Sequence, residues 1–224
     1  MTDAMPTIVF DVNETLSDMA PMGERFSEIG APAELAKLWF ATLLRDGFAL
    51  TASGQKGSFT AIGAAALRGL LTGVRLNRPL EAAVEHVIGG MTALNVHRDV
   101  PDGIRALAAG FRLITLSNGS AQIAGKLLTA AGIRDEFQSL LSLEDAAAWK
   151  PARASYDYAA TTCEADPADM VLVAVHPWDI HGAARAGLRT AWLNRDGGNY
   201  PIYFQAPDFT VTALTELPEA LAAA

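Results

Sequence analysis

Four short groups of polar residues carry side chains suited to nucleophilic, acid–base or electrostatic chemistry, and each follows an apolar run in the chain. The groups are Asp11–Thr15, Ser117–Ser120, Trp149–Pro151 and His176–Asp179. Together they supply a carboxylate nucleophile, hydroxyl and amide donors, a lysine cation and a second carboxylate. A carboxylate becomes a useful nucleophile when it is desolvated and aimed, and a nearby cation keeps it ionised by lowering its pKa. The residue types therefore predict covalent chemistry at a carboxylate.

Each group has an ordinary interpretation when it is taken alone. An acid after a strand is often a helix cap or a turn residue, and Ser117-Asn118-Gly119 is a good turn sequence. A lysine before a proline, such as Lys150, is usually on the surface. Four such groups at one end of a single sheet are harder to explain in this way, so we treat them as one candidate site.

The elements that would position these groups alternate between strand and helix. The run at residues 7–10 predicts a buried first strand, and further strands are predicted at 111–116, 137–141, 170–175 and 188–193. Helices are predicted between them, at 101–109, 121–131, 154–163 and 180–186. This alternation predicts an α/β fold with a doubly wound parallel sheet. Ligands bind such sheets beyond the carboxyl ends of the strands, where all four polar groups lie.

The stretch from residue 18 to residue 97 has a different character, because its patterns are helical without convincing strands. Helices are predicted at 33–48, 59–71 and 80–94, with breaks at Gly47, Gly73 and Pro79. We therefore expect an α/β core formed by residues 1–17 and 98–224, with residues 18–97 inserted as an all-helical cap.

Composition limits the class of protein. Half of the 224 residues are hydrophobic and 19% are charged, which favours a packed core over disorder. The net charge of −8 argues against a nucleic-acid partner, since no basic stripe could neutralise phosphates. The single cysteine, Cys163, cannot form an internal disulfide. With no basic leader and no apolar stretch of about 20 residues, we expect a cytoplasmic protein without a membrane partner.

The four groups resemble the motifs of the haloacid dehalogenase-like superfamily over nearly the whole chain. Within that superfamily they are similar to the type II (L-2-) haloacid dehalogenases. The residues that carry the similarity are Phe10-Asp11 with Thr15-Leu16, Leu116 to Ser120, Lys150-Pro151 with Tyr156, and Trp178-Asp179 with Gly182-Ala183. The late segment from Thr190 to Arg195 fits the same group. The fold implied is a Rossmann-like core with a helical cap.

The resemblance implies a mechanism and a set of roles. Asp11 would displace halide from the carbon next to a carboxylate, and water would then hydrolyse the resulting ester. Lys150 would keep Asp11 ionised, and Asp179 would orient or activate the water. Thr15 and Ser117 would orient Asp11 or the substrate. The substrate and halide contacts that we expect are Val12, Asn13, Phe59, Asn118 and Tyr156, together with Arg45 and His176, two candidates that this chain adds to the family pattern.

Departures from related phosphatases argue against a metal. Their general acid lies two residues after the nucleophile, where this chain has Asn13, and their magnesium needs an acid where this chain has Val175. A hard cation requires several oxygen ligands, so we expect neither a metal nor another cofactor. A non-dehalogenating, phosphatase-like hydrolase and a catalytically silent binding protein are the alternatives.

Other departures alter the halide site. Type II dehalogenases commonly carry a cap arginine where this chain has Phe40, and a serine and an asparagine where it has Ala174 and His176. Arg45 lies five residues after Phe40, about 140° further round the helix. It is either a solvated charge or a group that turns inward. His176 could hold the halide, donate a hydrogen bond or move a proton. Relatives of this type are often dimers, so the resemblance also implies a possible homodimer with a small 2-haloacid as substrate.

Overall fold

A parallel sheet of six strands lies at the centre of the computed structural model, which describes residues 5–223. All neighbouring strands in the described part of the chain pair in parallel, in the order β3-β2-β1-β4-β5-β6. The order reverses between β1 and β4, so a crevice opens at the carboxyl ends of these two strands. The strands are β1 (Thr7–Phe10), β2 (Arg112–Ser117), β3 (Phe137–Ser142), β4 (Met170–Ala174), β5 (Arg189–Leu193) and β6 (Phe209–Val211).

Helices cover both faces of the sheet because the strands are apolar on both faces. In β1, Ile8 and Phe10 enter one apolar cluster, while Val9 enters the cluster on the opposite face. This alternation follows from the two-residue period of a strand. The helices from residue 100 onwards are α5 (Val100–Ala108), α6 (Ala121–Ala130), α7 (Arg153–Thr162), α8 (Pro177–Ala186) and α9 (Leu217–Ala222).

Four helices are inserted between β1 and α5, and we call them the helical segment. They have their own core, in which Phe26, Trp39 and Leu43 are fully buried. The Trp39 indole N–H donates to the Gly63 carbonyl oxygen at 2.9 Å, which joins two of the helices. The helices are α1 (Met22–Ser27), α2 (Leu35–Ala52), α3 (Phe59–Leu71) and α4 (Leu80–Gly90). The boundaries 18–97 remain a prediction.

The end of α2 is tied to the loop that precedes α7. Lys56 Nζ donates to the carbonyl oxygens of Glu144 and Ala146, at 2.9 and 2.8 Å. The Trp149 backbone N–H donates to Thr51 Oγ1 at 3.2 Å. These contacts fix one edge of the helical segment on the core.

The predicted break at Gly47 is wrong, because α2 continues through this residue to Ala52. A Cβ at position 47 would lie 2.2 Å from Cζ3 of Trp149. The glycine therefore permits a close approach between a helix and an indole ring.

Three short elements were not predicted from the sequence. They are α1, β6 and α9, which have six, three and six residues. Elements this short span less than two full periods of an apolar pattern, so periodicity does not identify them. None of the helices described between residues 5 and 223 combines the length and apolarity that crossing a membrane requires.

Candidate active site

The structure brings the four polar groups together at the carboxyl ends of the central strands. Asp11 directly follows β1, and Ser117 ends β2. His176 caps the start of α8, and Asp179 lies in its first turn. Lys150 reaches the same point from the loop before α7. Neighbouring strands and the crevice between them thus explain how residues distant in the chain form one site.

Lys150 connects the two carboxylates of the site. Its Nζ lies 2.8 Å from Asp11 Oδ1 and 2.5 Å from Asp179 Oδ2, and the side chain is fully buried. Its backbone N–H donates to Asn118 Oδ1 at 3.0 Å, which fixes the loop. Burial alone would lower the pKa of Lys150, but the charges of Asp11 and Asp179 outweigh burial and raise it. Lys150 is therefore a permanent cation.

Asp179 uses both carboxylate oxygens in hydrogen bonds. Oδ2 accepts from Lys150, and Oδ1 accepts from the Tyr156 hydroxyl at 2.7 Å. Asp179 has no exposed surface. Burial and the charge of Asp11 raise the pKa of Asp179 although Lys150 opposes them, and burial with the charge of Asp179 raises the pKa of Tyr156 well above 10.

Thr15 orients the second oxygen of Asp11. Its hydroxyl donates to Asp11 Oδ2 at 2.7 Å and accepts from the Val175 backbone N–H at 3.1 Å. Arg195 donates to the Thr15 carbonyl oxygen at 3.1 Å, and its Nη1 donates to both carboxylate oxygens of Asp99, at 2.8 and 2.9 Å. The loop after β1 is therefore held both by Arg195 and by the hydrogen bonds of Thr15 within the site.

His176 lies on the same side of Asp11 as Thr15. Its Nε2 is 2.8 Å from Glu14 Oε2, and its Nδ1 is 3.3 Å from Asp11 Oδ2. The second distance suits an ion pair, but its direction does not make a hydrogen bond, so Nδ1 is a buried polar atom without one. Burial opposes protonation, but Asp11 and Glu14 together raise the pKa of His176 to about 9. His176 is therefore a cation at neutral pH.

The pKa of Asp11 depends on its burial and on the charges of these neighbours. Burial would raise its pKa, but Lys150 and His176 hold it well below the usual range. Asp11 is only 4% exposed. A desolvated, ionised carboxylate at this point is suited to nucleophilic attack.

The glycine turn after β2 faces the other end of the site. Ser117 Oγ accepts from the Gly119 backbone N–H at 3.0 Å. A Cβ at Gly119 would lie 3.6 Å from Asn13 Nδ2 and 3.8 Å from the ring of Phe59, so both residues border this turn. Within residues 5–223, the Asn118 amide nitrogen donates no hydrogen bond and is free to meet a ligand.

Aromatic rings close the site from the helical segment. Phe40 is buried, with its ring centroid 6.4 Å from that of His176 and 6.5 Å from that of Phe59. Phe59 stacks on Trp149 at 5.8 Å. The indole N–H of Trp149 is buried without a partner in the described part of the chain. Trp178 stacks on the free face of His176 at 4.9 Å.

Arg45 does not reach this site. Its guanidinium pairs with Asp46 at 2.9 Å, and 70% of its side chain is exposed. The inward orientation considered from the sequence is wrong in this structure, since the outer face of α2 carries both residues. Val12, by contrast, is buried in the core of the helical segment.

A groove of about 740 Å³ lies beside the site, on the side of His176. Glu14, Phe40 and His176 form its inner wall, and Lys37 and Trp192 lie further along it. Asp11 is not part of its lining, so the imidazole and the Glu14 carboxylate stand between the groove and the candidate nucleophile.

Sequence reasoning missed two residues of this arrangement. Glu14 pairs with His176 and has a left-handed backbone conformation, with φ of 63°. No sequence motif predicts this conformation. Trp149 lies beside the recognised Lys150, but only its unpartnered indole N–H marks it as a possible ligand donor.

A family model described as haloacid dehalogenase-like hydrolase matches residues 5–187. The chain is 30% identical to an (S)-2-haloacid dehalogenase from Pseudomonas sp. strain YL, over 97% of this chain and 94% of that protein. It is 32% identical to haloacetate dehalogenase H-2 from Moraxella sp. strain B, over 55% of this chain and 56% of that protein. A crystal structure of a dehalogenase with an intermediate complex superposes with a TM-score of 0.89, at 26% identity over 98% of each chain.

The structural match covers 98% of this chain, so it includes both the parallel sheet and the helical segment. The chain belongs to the haloacid dehalogenase-like hydrolase family. Its fold is the α/β fold of that family, with helices inserted after the first strand.

Proposed function

We propose that this protein removes halide from small 2-haloalkanoic acids by hydrolysis, through an ester formed on Asp11 and without a metal ion. The observation that carries the proposal is the ionised, buried Asp11 at the end of β1, paired with Lys150 at 2.8 Å. The similar proteins named as (S)-2-haloacid and haloacetate dehalogenases support the substrate class.

The first step is attack of Asp11 on the carbon that bears the halogen. One bond forms between the carboxylate oxygen and this carbon while the carbon–halogen bond breaks, and halide leaves with the electron pair. A departing anion in a dry site needs donors or a cation. Among the described residues of the site, the Asn118 amide, the Trp149 indole N–H and the protonated Nδ1 of His176 are donors without a hydrogen bond. Phe40 fills the place where an arginine is common.

A metal-dependent phosphatase is the second candidate, and the site argues against it. Lys150 Nζ already lies between the carboxylates of Asp11 and Asp179. Asn13 has no proton to give a leaving alcohol, and Val175 offers no carboxylate for a cation. A catalytically silent protein remains the third candidate, and halide release separates it from the first.

The test is halide release from 2-chloropropionate, chloroacetate and fluoroacetate, with and without EDTA. We expect turnover that survives chelation. Loss of turnover with EDTA and recovery with magnesium would contradict a metal-independent reaction. Release of phosphate from a generic ester, with no halide release, would favour the second candidate.

The nucleophile is tested by Asp11→Asn, which keeps the shape of the side chain but removes its charge. We expect no turnover and an unchanged circular dichroism spectrum. Single-turnover hydrolysis in heavy-oxygen water should place the label on Asp11 before it reaches the product. Label in the product of the first turnover would mean that water attacks the substrate directly.

Three expectations from the sequence stay predictions. They are the cytoplasmic location, the homodimer and the absence of a nucleic-acid partner. Sedimentation of the purified protein tests the second.

A further inference from the structure

The residue that activates water for the second step needs a free acceptor next to the Asp11 carbonyl carbon. Asp179 does not meet this requirement here. Both of its oxygens accept hydrogen bonds, from Lys150 and Tyr156, and it has no exposed surface. Water could reach it only if the surrounding side chains moved, because no part of Asp179 is exposed and it does not line the groove.

His176 meets the requirement by its position. Its Nδ1 lies 3.3 Å from Asp11 Oδ2 and makes no hydrogen bond. The imidazole also lines the groove of about 740 Å³, so water in that groove meets this residue before Asp11. Glu14 holds the other nitrogen at 2.8 Å, and 42% of its side chain is exposed.

We propose that His176, oriented by Glu14, is the base that activates water for hydrolysis of the Asp11 ester. This assignment rests on the proposed function, because it concerns the second step of that reaction. A carboxylate that holds one imidazole nitrogen fixes the tautomer and supports the charge that the ring acquires.

The charge of Asp11 explains how one residue serves both steps. While Asp11 is an anion, it and Glu14 keep His176 protonated. Ester formation removes the charge of Asp11, so one of the two anions that hold the proton is lost and the pKa of His176 falls. The proton can then leave through the exposed Glu14 carboxylate to the groove. The imidazole becomes a base only after the ester has formed.

The proton and bond changes of the second step balance as follows. Water oxygen bonds to the Asp11 carbonyl carbon while one water proton moves to His176 Nδ1. The bond between this carbon and the substrate oxygen then breaks, and His176 returns the proton to the departing hydroxyl. The Asp11 carboxylic acid that remains passes its proton to His176, which restores the imidazolium and the Asp11 carboxylate, so each cycle releases one proton and one halide.

The experiment separates the two steps by rapid quench with 2-bromopropionate, measuring released halide and the covalent adduct by intact-protein mass. For His176→Ala we expect a halide burst of one equivalent, followed by ester decay about 100-fold slower than in the wild type, in the range for loss of a general base. Added imidazole should restore the decay, because the deleted side chain lines an accessible groove. A purely structural role would not respond to imidazole.

Two variants act as controls. Glu14→Gln keeps a hydrogen-bond partner but removes the charge, and should slow ester decay by about 10-fold, the smaller part of a base effect. Asp179→Asn should slow the halide burst by disturbing Lys150, without accumulation of ester. Circular dichroism checks folding of all three variants.

The outcomes are distinguishable. Ester decay at the wild-type rate in His176→Ala, or ester accumulation only in Asp179→Asn, overturns the assignment and leaves the proposed function intact. A slowed burst with no accumulation of ester in His176→Ala also overturns it, since His176 would then act in the first step. A wild-type protein that releases no halide overturns the proposed function itself.

Discussion

The two oxygens of Asp11 lie in contrasting surroundings. Oδ1 faces Lys150, which is fully buried and bonded in turn to an Asp179 whose oxygens are both occupied. Oδ2 faces Thr15 and His176, beside a groove and near the partly exposed Glu14. One side is closed to water, and the other is in reach of solvent through a titratable ring.

This difference separates two tasks that a carboxylate nucleophile must combine. The closed side sets the charge, because no water competes with Lys150 for the carboxylate. The open side can gain and lose a proton during a reaction cycle, because Glu14 connects it to the surface. The predictions below challenge this contrast, starting with the closed side.

Lys150→Met should have the largest effect. It removes the cation between two buried carboxylates, and breaking such a pair costs about 3–5 kcal/mol of stability. Halide release should fall by about 10³-fold or more, because one missing electrostatic group costs on this order in an active site. Urea unfolding and halide release measure both effects. Lys126→Met, on an exposed face of α6, is the control and should change neither; activity of the Lys150 variant within tenfold of wild type would refute the contrast.

The open side predicts a pH dependence of stability. The pKa of His176 is raised from 6.5 to about 9 in the folded protein, facing the charges of Asp11 and Glu14 and the uncharged rings of Phe40 and Trp178. A raised pKa gives stability that is fully present below pH 6.5 and lost as the pH rises through about 9. The loss should be about 3 kcal/mol.

Urea unfolding across this pH window measures the loss, and the comparison is with His176→Gln. The difference in the free energy of unfolding between the two proteins should shrink as the pH rises. A constant difference would mean that the pKa of His176 is the same in the folded and the unfolded protein.

Gly47→Ala tests how tightly the helical segment meets the closed side. The added Cβ would lie 2.2 Å from the Trp149 ring, so the helix or the ring must shift. We expect a loss of about 1–3 kcal/mol in the free energy of unfolding, as for other overpacked sites. Gly69→Ala is the matched control, because Gly69 is also helical and a Cβ there meets nothing within 4 Å. The control should be neutral or slightly stabilising; equal effects at both glycines would refute the packing argument.

Arg45→Ala should have the smallest effect. Its exposed pair with Asp46 contributes little to stability, within about 0.5 kcal/mol. Halide release should keep the wild-type kcat/KM. A tenfold fall would show that the guanidinium turns towards the site during turnover.

The sequence predicted the parts of this molecule that depend on local patterns. Apolar runs identified β1 to β5, and the polar groups after them identified Asp11, Lys150 and Asp179 as neighbours, since parallel strands present their ends at one edge. The resemblance to type II haloacid dehalogenases also indicated that Phe40 stands where those proteins commonly carry a cap arginine.

Features that depend on tertiary approach were not predictable in this way. The sequence predicted a helix break at Gly47 because helix propensity cannot reveal the contact with the ring of Trp149, which lies about 100 residues later in the chain. Glu14 meets His176 only because the loop after β1 adopts a positive φ. From the sequence Arg45 could be a solvated charge or turn inward, and only the packing shows that it lies on the surface while His176 lies in the site.

The contacts of Lys56 and Thr51 with the loop before α7 affect how small molecules enter and leave the site. They clamp the helical segment to the core along the edge that carries Trp149. If the crevice widens while these contacts hold, it opens on the far side, where Phe40 faces His176. Substrate, halide and hydroxy acid would then share a single passage, and product that lingers there would obstruct the next substrate. We therefore expect inhibition by product to rise with the bulk of the hydroxy acid.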